Sequence, residues 1–317
     1  MEFIALGELL IDFLPGSEEG SYVRNAGGAP ANVAISAARN GLKSGMYCKV
    51  GNDDLGKFLM GALKENQVTP LSAALTDEAI TTMAFVTLGE NNERSFTFAR
   101  KPGADMMLAS SEIKDEDFED CRMLHAGSFT LSAGKAVEAT EYAMKKAHDK
   151  GCLVAFDINY RDMPWNNDKE ACAKKVMEIL PEVDFLKISD EEIDMVGGRE
   201  NVPALMKEKD ISVVVLTLGS EGAECFFNGT SFVLAGYKAD YVADTTGAGD
   251  AFWGGFLSRV LNLGVNKVTD LTEEILRDAV KYGNVSGSLA VREKGAIASL
   301  PTKEQIESFL EEHSLNN

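Results

Sequence analysis

The sequence has too few basic residues to balance its acidic ones, and this shortage limits its partners. It contains 31 lysines and arginines against 50 aspartates and glutamates, which gives a formal net charge of −19. A surface with that charge repels the phosphate backbone of nucleic acids, and no basic patch in the sequence offsets the repulsion. We therefore expect no nucleic-acid partner.

Long apolar runs and clustered cysteines are also missing. No apolar run approaches the ~18 residues that a membrane-spanning helix needs. The opening "MEFIALGELLIDFL" carries three acids and lacks the basic start of a secretory signal peptide. The 5 cysteines are odd in number, widely spaced and include no CxxC pair, which is typical of reduced thiols. These absences predict a cytoplasmic protein with no membrane partner.

The sequence does contain an alternation of strand-like and helix-like segments. The β-rich runs "CLVAFDIN", "FLKIS" and "ISVVVLTLG" are separated by stretches with helical spacing, such as "GKAVEATEYAMKKAHDKG". The run "ISVVVLTLG" is almost wholly apolar, as in a strand buried on both faces. The alternation predicts one α/β domain over residues 1–317, with a doubly wound, mostly parallel central sheet flanked by helices. Ligands are then expected at the carboxyl ends of its strands.

Three segments have a different pattern. "FIALGELLIDFL" is short-period and apolar, and it predicts one opening strand. "TTMAFVTLGENNERSFTFAR" (residues 81–100) has two β-rich runs around a polar loop, which indicates a hairpin. Together with strands near residues 11–25 it is expected to form a small separate sheet. "AECFFNGTSFVLAG" predicts a second hairpin that turns at Asn228 and Gly229.

The segment "DTTGAGDAFWGGF" (residues 244–256) places a glycine-rich turn and an acid at the start of a helix. Backbone N–H groups of Gly247, Ala248 and Gly249 would point outward and, with the helix dipole, form an anion site suited to phosphate. A carboxylate at Asp250 would repel a phosphate, so it fits better as a general base that takes a proton from an attacking hydroxyl. Because glycine and aspartate are also common at ordinary helix starts, the motif alone leaves that alternative open.

The same segment resembles the C-terminal signature of the ribokinase (PfkB) family of sugar kinases. "NAGGAPANVAISAARNG" (residues 25–41) resembles the N-terminal signature of that family, and the two occur in the expected order. The resemblance extends from "GELLIDF" to "KGAIASLP", and "GGAPANVA", "DINYR" and "KISDEE" look most like the fructokinases. It implies a ribokinase-like fold in which the small β-sheet is a lid over the sugar. It further implies phosphoryl transfer from ATP to a primary hydroxyl of a free sugar.

The resemblance also suggests the acceptor and the cofactors. D-Fructose leads as the acceptor, and 2-keto-3-deoxygluconate and ribose stay open as alternatives, as does a non-catalytic sugar-binding regulator. The implied cofactors are ATP and Mg²⁺, often with K⁺. An exposed lid edge could pair with a second copy in a homodimer or stay uncovered. A dinucleotide-dependent oxidoreductase is disfavoured, because it would need GxGxxG after the first strand, where "GELLID" stands.

Residue roles follow from the resemblance. Asp250 matches the catalytic base, and the turn Gly247–Gly249 matches the anion hole for the transferring phosphoryl group. Asp12 matches an acid that holds sugar hydroxyls, and Asn32 supplies an amide that can donate and accept. The implied substrate-binding residues are Asp12, Gly27, Gly28, Asn32, Arg100, Asp157, Asn159 and Arg161. The arginines of this set are equally compatible with plain surface positions.

The nucleotide and the metal ions have implied residues as well. Those for the nucleotide are Lys187, Glu192, Thr217, Gly219, Gly222 and Asn284, with small residues Gly283, Ser286 and Gly287 where adenine would pack. Glu192 would support Mg²⁺ through water, while Ser189 stands where the family usually has asparagine. A monovalent cation would lie near Asp244, Thr246, Gly295 and Ser299. Since nucleotide phosphates and waters hold most of the Mg²⁺ shell, no dedicated protein cage is expected.

Overall fold

The structure is a computed structural model that describes residues 1–18, 20–72, 74–88 and 94–314. Its strands, in chain order, are β1 (Phe3–Leu6), β2 (Leu10–Pro15), β3 (Tyr22–Gly27), β4 (Ser44–Tyr47), β5 (Val50–Gly51), β6 (Thr69–Pro70), β7 (Leu75–Thr76), β8 (Met83–Leu88), β9 (Arg94–Ala99), β10 (Met123–Gly127), β11 (Leu153–Asp157), β12 (Phe185–Ser189), β13 (Val213–Thr217), β14 (Gly222–Phe227) and β15 (Thr230–Ala235). Its α-helices are α1 (Ala29–Arg39), α2 (Asp54–Glu65), α3 (Ala136–Asp149), α4 (Lys169–Ile179), α5 (Val202–Lys209), α6 (Ala248–Asn262), α7 (Glu273–Ala290), α8 (Ala296–Ser299) and α9 (Lys303–Ser314).

Among these strands, nine form a central sheet in the order β15-β14-β13-β12-β11-β10-β1-β4-β6. The ladders from β13 through β12, β11, β10, β1 and β4 to β6 are parallel. At the other edge β14 and β15 are antiparallel and form the predicted hairpin, with Asn228 and Gly229 at positive φ in its turn. The predicted doubly wound, mostly parallel sheet is confirmed.

Apolar layers cover both faces of the sheet. Alternate residues of β1 face opposite sides: Phe3 packs with residues of α1, α2, α6 and α7, and Ile4 with residues of α3, α4 and α5. Because side chains alternate along a strand, a strand between two helical layers is buried on both faces and is mostly apolar. This explains why β10 to β12 are buried along almost their whole length.

The predicted small sheet is present, in the strand order β3-β2-β8-β9. β2 pairs antiparallel with β3 and parallel with β8, and β8 and β9 form the predicted hairpin. The loop of that hairpin, residues 89–93, lies outside the described residues. This sheet contributes Asp12 to the region around Asp250.

The prediction of one opening strand in "FIALGELLIDFL" is wrong. The segment forms β1 in the central sheet and β2 in the small sheet, with a break between them. At the break the buried Glu8 carboxylate accepts the N–H of Ala29 at 3.1 Å. Gly7 packs so closely on Pro30 that a Cβ there would lie 2.3 Å from the proline Cγ. The start of α1 therefore turns the chain from one sheet to the other, and a local apolar pattern carries no sign of it.

No helix in the described part of the chain is long and apolar enough to cross a bilayer.

All 5 cysteines are buried as free thiols.

Candidate active site

Asp250 lies in the first turn of α6, beside the carboxyl ends of the parallel strands. One of its oxygens, Oδ2, accepts a hydrogen bond from Nδ2 of Asn32 on α1 at 2.7 Å. Burial raises the pKa of Asp250 from 3.8 to about 6, against the opposing effects of the Asn32 hydrogen bond and the charge of Lys187. A carboxylate with that pKa is ionised at neutral pH and still has a useful affinity for a proton.

The turn before Asp250 has the geometry that its glycines predict. Gly247 caps α6 with φ at 79°, and a Cβ there would lie 2.8 Å from the Cβ of Ala296, so no larger residue fits. The N–H of Ala248 donates to the carbonyl oxygen of Thr245 at 3.3 Å. The next two N–H groups, of Gly249 and Asp250, lie in the first helical turn, where they have no acceptor within the helix. The prediction placed the anion at the amides of Gly247, Ala248 and Gly249, but the amide of Ala248 is engaged by Thr245, whereas those of Gly249 and Asp250 are open to a bound anion.

Asp12 lies on β2 opposite Asn25 of β3 and is packed against Gly27. A Cβ on Gly27 would lie 2.0 Å from Oδ2 of Asp12. Gly28 has φ at 114°, and its Cβ would lie 2.3 Å from the carbonyl oxygen of Glu8. The two glycines were predicted to let a sugar approach the backbone. In the structure they make room for the Asp12 side chain and the Glu8 carbonyl.

The charges around Asp12 set its proton affinity. Burial raises its pKa to about 7, Arg161 lowers the pKa, and Asp250 and Asp244 raise it. Asp12 therefore shares an electrostatic environment with Asp250, and its predicted substrate role stays a prediction.

Asp157, at the end of β11, and Lys187, in the middle of β12, form a buried ion pair. Nζ of Lys187 lies 2.7 Å from Oδ2 of Asp157, and the side chains are 7% and 3% exposed. Burial alone would lower the pKa of Lys187, but Asp157, Glu192 and Asp250 outweigh it and raise the pKa. Nζ also lies 3.6 Å from the point where a Cβ on Gly249 would stand. The pair is thus directly behind the start of α6.

Arg161 and Asn159 follow β11 on an exposed loop. The guanidinium of Arg161 donates from Nη1 to the carbonyl oxygen of Tyr160 at 2.8 Å, and its charge lowers the pKa values of Asp12 and Asp250. Asn159 has φ at 39°, in the left-handed region that asparagine tolerates better than most residues. Local backbone geometry is sufficient to explain asparagine there.

Arg100 differs from the substrate-binding expectation. It is 8% exposed, and its guanidinium contacts Asp105 through Nε at 2.7 Å and Ser132 through Nη1 at 2.9 Å. Nη2 lies 2.7 Å from Asp105, and the group stacks 4.4 Å from the ring centre of Phe129. Every nitrogen of the guanidinium already has a partner within the protein. Arg100 therefore fits a structural role better than a contact with the sugar.

Glu192 joins two loops. Its Oε1 accepts the N–H of Tyr160 at 2.7 Å, and its Oε2 accepts the N–H of Ser189 at 2.9 Å. Each oxygen keeps a lone pair, so the carboxylate can accept a hydrogen bond from a water that belongs to Mg²⁺. In the described residues, no group of three or more acidic, histidine or cysteine side chains could hold a metal ion directly. The residues present therefore fit a water-mediated Mg²⁺ contact and do not fit a protein cage.

A cavity of about 380 Å³ opens beside the start of α6. Of the predicted nucleotide residues, Thr217, Gly219, Gly222 and Asn284 line it, together with Ala248 and Gly249 of the turn. The predicted residues Lys187 and Glu192 do not line it and lie deeper. The amide of Asn284 donates to the carbonyl oxygens of Leu234 and Ala235, both at 3.2 Å.

Several cavity residues were missed by the sequence expectation. They are Tyr237, Lys238, Ala239, Val242, Phe252, Ser288 and Val291. Ser288 and Val291 follow Asn284 and Gly287 at the spacing of one helical face, so extending the predicted face along α7 finds them. The others lie on the loop after β15 or on α6 and carry no periodic signal. Gly283 and Ser286 contact α6 instead: a Cβ on Gly283 would lie 3.0 Å from Phe252, and Ser286 donates to Ala251.

Three of the four residues expected near a monovalent cation are brought together. The Asp244 carboxylate accepts the N–H of Thr246 at 2.8 Å and that of Gly295 at 3.2 Å. Ser299 donates to Ala296 at 3.0 Å, one turn further along α8. Asp244 thereby ties the loop before the turn to the loop before α8.

Comparisons with known proteins show which family the sequence matches. The family model described as pfkB family carbohydrate kinase matches residues 2–303. Fructokinase-1 of Oryza sativa subsp. japonica is 34% identical over 97% of this chain and 97% of its own, and Fructokinase-2 of Zea mays is 36% identical over 94% and 91%.

Two solved structures are similar over almost the whole chain. A fructokinase with bound ATP from Xylella fastidiosa has a TM-score of 0.91 at 29% identity and covers 98% of this chain and 99% of its own. A fructokinase double mutant from Vibrio cholerae O395, in a form with fructose, ADP and potassium ion bound, has a TM-score of 0.87 at 33% identity, with 98% of each chain covered. The chain belongs to the pfkB family of carbohydrate kinases.

Proposed function

We propose that this carbohydrate kinase is an ATP-dependent fructokinase, which transfers the γ-phosphoryl group of ATP to a primary hydroxyl of free D-fructose. The observation that carries the proposal is the position of Asp250. Its carboxylate accepts a hydrogen bond from Asn32 and interacts electrostatically with Asp12. The residues just before it, Ala248 and Gly249, line the cavity that could hold the nucleotide. Similarity to fructokinases across almost the whole length of both chains supports fructose as the acceptor.

In the proposed reaction Asp250 accepts the proton of the sugar hydroxyl. The hydroxyl oxygen attacks the γ-phosphorus of ATP, and ADP leaves. The N–H groups of Gly249 and Asp250 donate to the phosphoryl oxygens, where negative charge develops. Asp12 accepts hydrogen bonds from other hydroxyls of the sugar, and Asn32 orients Asp250. Thr217, Gly219 and Gly222 line the nucleotide side, and Arg161 supplies positive charge from the loop after β11.

The metal ions have a supporting part in the proposal. Mg²⁺ on the nucleotide would neutralise phosphate charge, and Glu192 would contact it through water. A monovalent cation such as K⁺ would be held by backbone oxygens near Asp244, Thr246, Gly295 and Ser299. The small sheet formed by residues 10–15, 22–27, 83–88 and 94–99 would close over the sugar as a lid and exclude water.

The test is ADP release from MgATP across a panel of free sugars, sugar acids and nucleosides. We expect the highest kcat/KM with D-fructose. In Asp250→Asn, turnover should fall by ~10²–10⁴-fold, which is the usual contribution of a general base. Binding of fructose and ADP, measured by calorimetry, should persist. Because the fold raises the pKa of Asp250, the ionised carboxylate destabilises the folded protein above about pH 6. Replacing Asp250 by asparagine should therefore not lower the melting temperature at pH 8.

A matched control is Asp54→Asn, which changes an aspartate in the first turn of α2 with a side chain 98% exposed. It should keep normal turnover. Near-normal turnover of Asp250→Asn would contradict the role of Asp250. A higher kcat/KM with another acceptor would replace fructose, and sugar binding without turnover of any acceptor would indicate a regulator.

A further inference from the structure

The buried pair of Lys187 and Asp157 has no evident structural purpose. The two residues are register partners on β11 and β12, where their neighbours Phe156 and Ile188 are wholly apolar and buried. A buried ion pair gains little stability, because removing two charges from water costs about as much as their attraction returns, and apolar residues would serve as well. In addition, Oδ1 of Asp157 is buried with no hydrogen-bond partner in the described part of the protein.

The pair also lies outside the lining of the proposed nucleotide cavity. Lys187 and Asp157 are absent from the lining of the cavity beside α6, although the sequence analysis predicted nucleotide and sugar contacts for them. Their place is behind the turn, where the Lys187 ammonium lies against Gly249, immediately before Asp250. Asp250 is therefore the reacting group nearest to the pair.

Charges face Asp250 from several elements. Lys187 on β12 and Arg161 after β11 favour its ionised form, and Asp157 on β11 opposes it. Glu8, between β1 and β2, and Asp12 on β2 also interact with it and disfavour a second negative charge nearby. The remaining contact, from Asn32, is neutral. Lys187 and Asp157 are the charges of opposite sign that are fully enclosed by protein, where solvent screens least.

We infer that Lys187 and Asp157 form a positioning pair that sets the proton affinity of Asp250, and that neither residue binds the nucleotide or the sugar. The inference rests on the proposed function, in which Asp250 is the general base. Lys187 keeps Asp250 ionised near neutral pH. Asp157 keeps Lys187 charged and moderates its effect, so that Asp250 retains enough basicity to take a proton.

The test is the dependence of kcat/KM on pH between 4.5 and 8.5, since its acidic limb reports the base of the free enzyme. Lys187→Met removes the positive charge that favours ionised Asp250, so the acidic limb should move to higher pH by about one unit. At a pH on that limb, kcat/KM should fall about tenfold. Asp157→Asn removes a negative charge that faces Asp250, while Glu192 and Asp250 still favour the charged form of Lys187, so the limb should move to lower pH. The double variant removes both charges and should return the limb to near its wild-type position.

A remote pair provides the matched control. Arg199 and the buried Glu224, 2.6 Å apart at β14, are also an ion pair with one enclosed partner. Glu224→Gln should leave the limb in place. If Lys187→Met does not fold, two results still test the inference. The acidic limb should move to lower pH in Asp157→Asn, and it should stay near its wild-type position in the double variant.

The outcomes separate this inference from the proposed function. Near-normal turnover of Asp250→Asn would overturn Asp250 as the base, and the role of the pair with it. A limb that depends on Asp250 but stays in place in the pair variants, with activity lowered equally at every pH, would overturn the inference alone. Opposite shifts in the two single variants would support it.

Discussion

Glycine at position 27 is required by the space that its neighbour occupies. A Cβ there would lie 2.0 Å from Oδ2 of Asp12, far inside van der Waals contact. Gly27→Ala should displace the Asp12 carboxylate and raise the KM for the sugar at least tenfold (one factor of ten per 1.4 kcal/mol of lost binding), while ADP affinity stays unchanged. Steady-state kinetics and calorimetry check the two halves.

The control for that substitution is Gly61→Ala on α2, where a new Cβ meets no atom within 4 Å. Alanine should stabilise that helix by up to about 1 kcal/mol and leave the KM unchanged. An unchanged sugar KM in Gly27→Ala would contradict the substrate role of Asp12.

At the residue scale the sequence indicates which residue types could react, but it does not indicate how deeply each residue is buried or what it contacts. Asp250 lies at the start of a helix directly after the glycine turn, as expected, because the two are adjacent in sequence and local backbone geometry fixes both, but the amide of Ala248 is not free as expected. Lys187 and Arg100 lie deeper than expected, because burial depends on which elements pack above a residue. Neither residue type nor neighbouring sequence carries that information.

Among elements, a buried polar cluster around Asp105 joins the two ends of the β8–β9 hairpin. Arg100, directly after β9, pairs with Asp105, which also accepts a hydrogen bond from Thr82 just before β8. Asp105 is 2% exposed, so Asp105→Asn would leave the guanidinium of Arg100 buried without its counter-charge. Breaking a buried pair in this way costs about 3–5 kcal/mol. Urea unfolding should show a loss of that size, together with a higher KM for the sugar beneath the hairpin.

Asp54→Asn again provides the comparison, because it removes an exposed partner of Lys57 at 3.5 Å. Exposed pairs contribute about 0–1 kcal/mol, so its unfolding midpoint should barely change. Equal effects of the two substitutions would show that the cluster does not fasten the hairpin.

The elements themselves were largely predictable, for a physical reason. Apolar periodicity over a whole strand or helix reports burial, and burial identified the central strands and the hairpin that ends in β15. The break between β1 and β2 escaped prediction because α1, which follows later in the chain, determines it through Ala29 and Pro30. A short apolar run looks the same whether one sheet or two will bury it.

For the whole molecule, the sequence left open a homodimer through the small sheet, and such a dimer would need apolar surface there. Val23, opposite Leu14 in the β2–β3 ladder, is 54% exposed, and Tyr22 beside it is 46% exposed. A molecule with a net charge of −19 repels its own copies, so association needs apolar contact to overcome that repulsion. The exposed end of β3 is where we expect that contact.

Sedimentation velocity across a range of concentrations tests this surface. We expect a dimer for the wild-type protein and a monomer for Val23→Glu, since a carboxylate buried in a subunit contact costs several kcal/mol. Val233→Glu on β15 is the matched control, because that valine is also on a strand and is 52% exposed. It adds the same charge far from the small sheet and should leave the dimer intact. Dissociation by both variants would assign the effect to net charge, and a wild-type monomer at every concentration would exclude the homodimer.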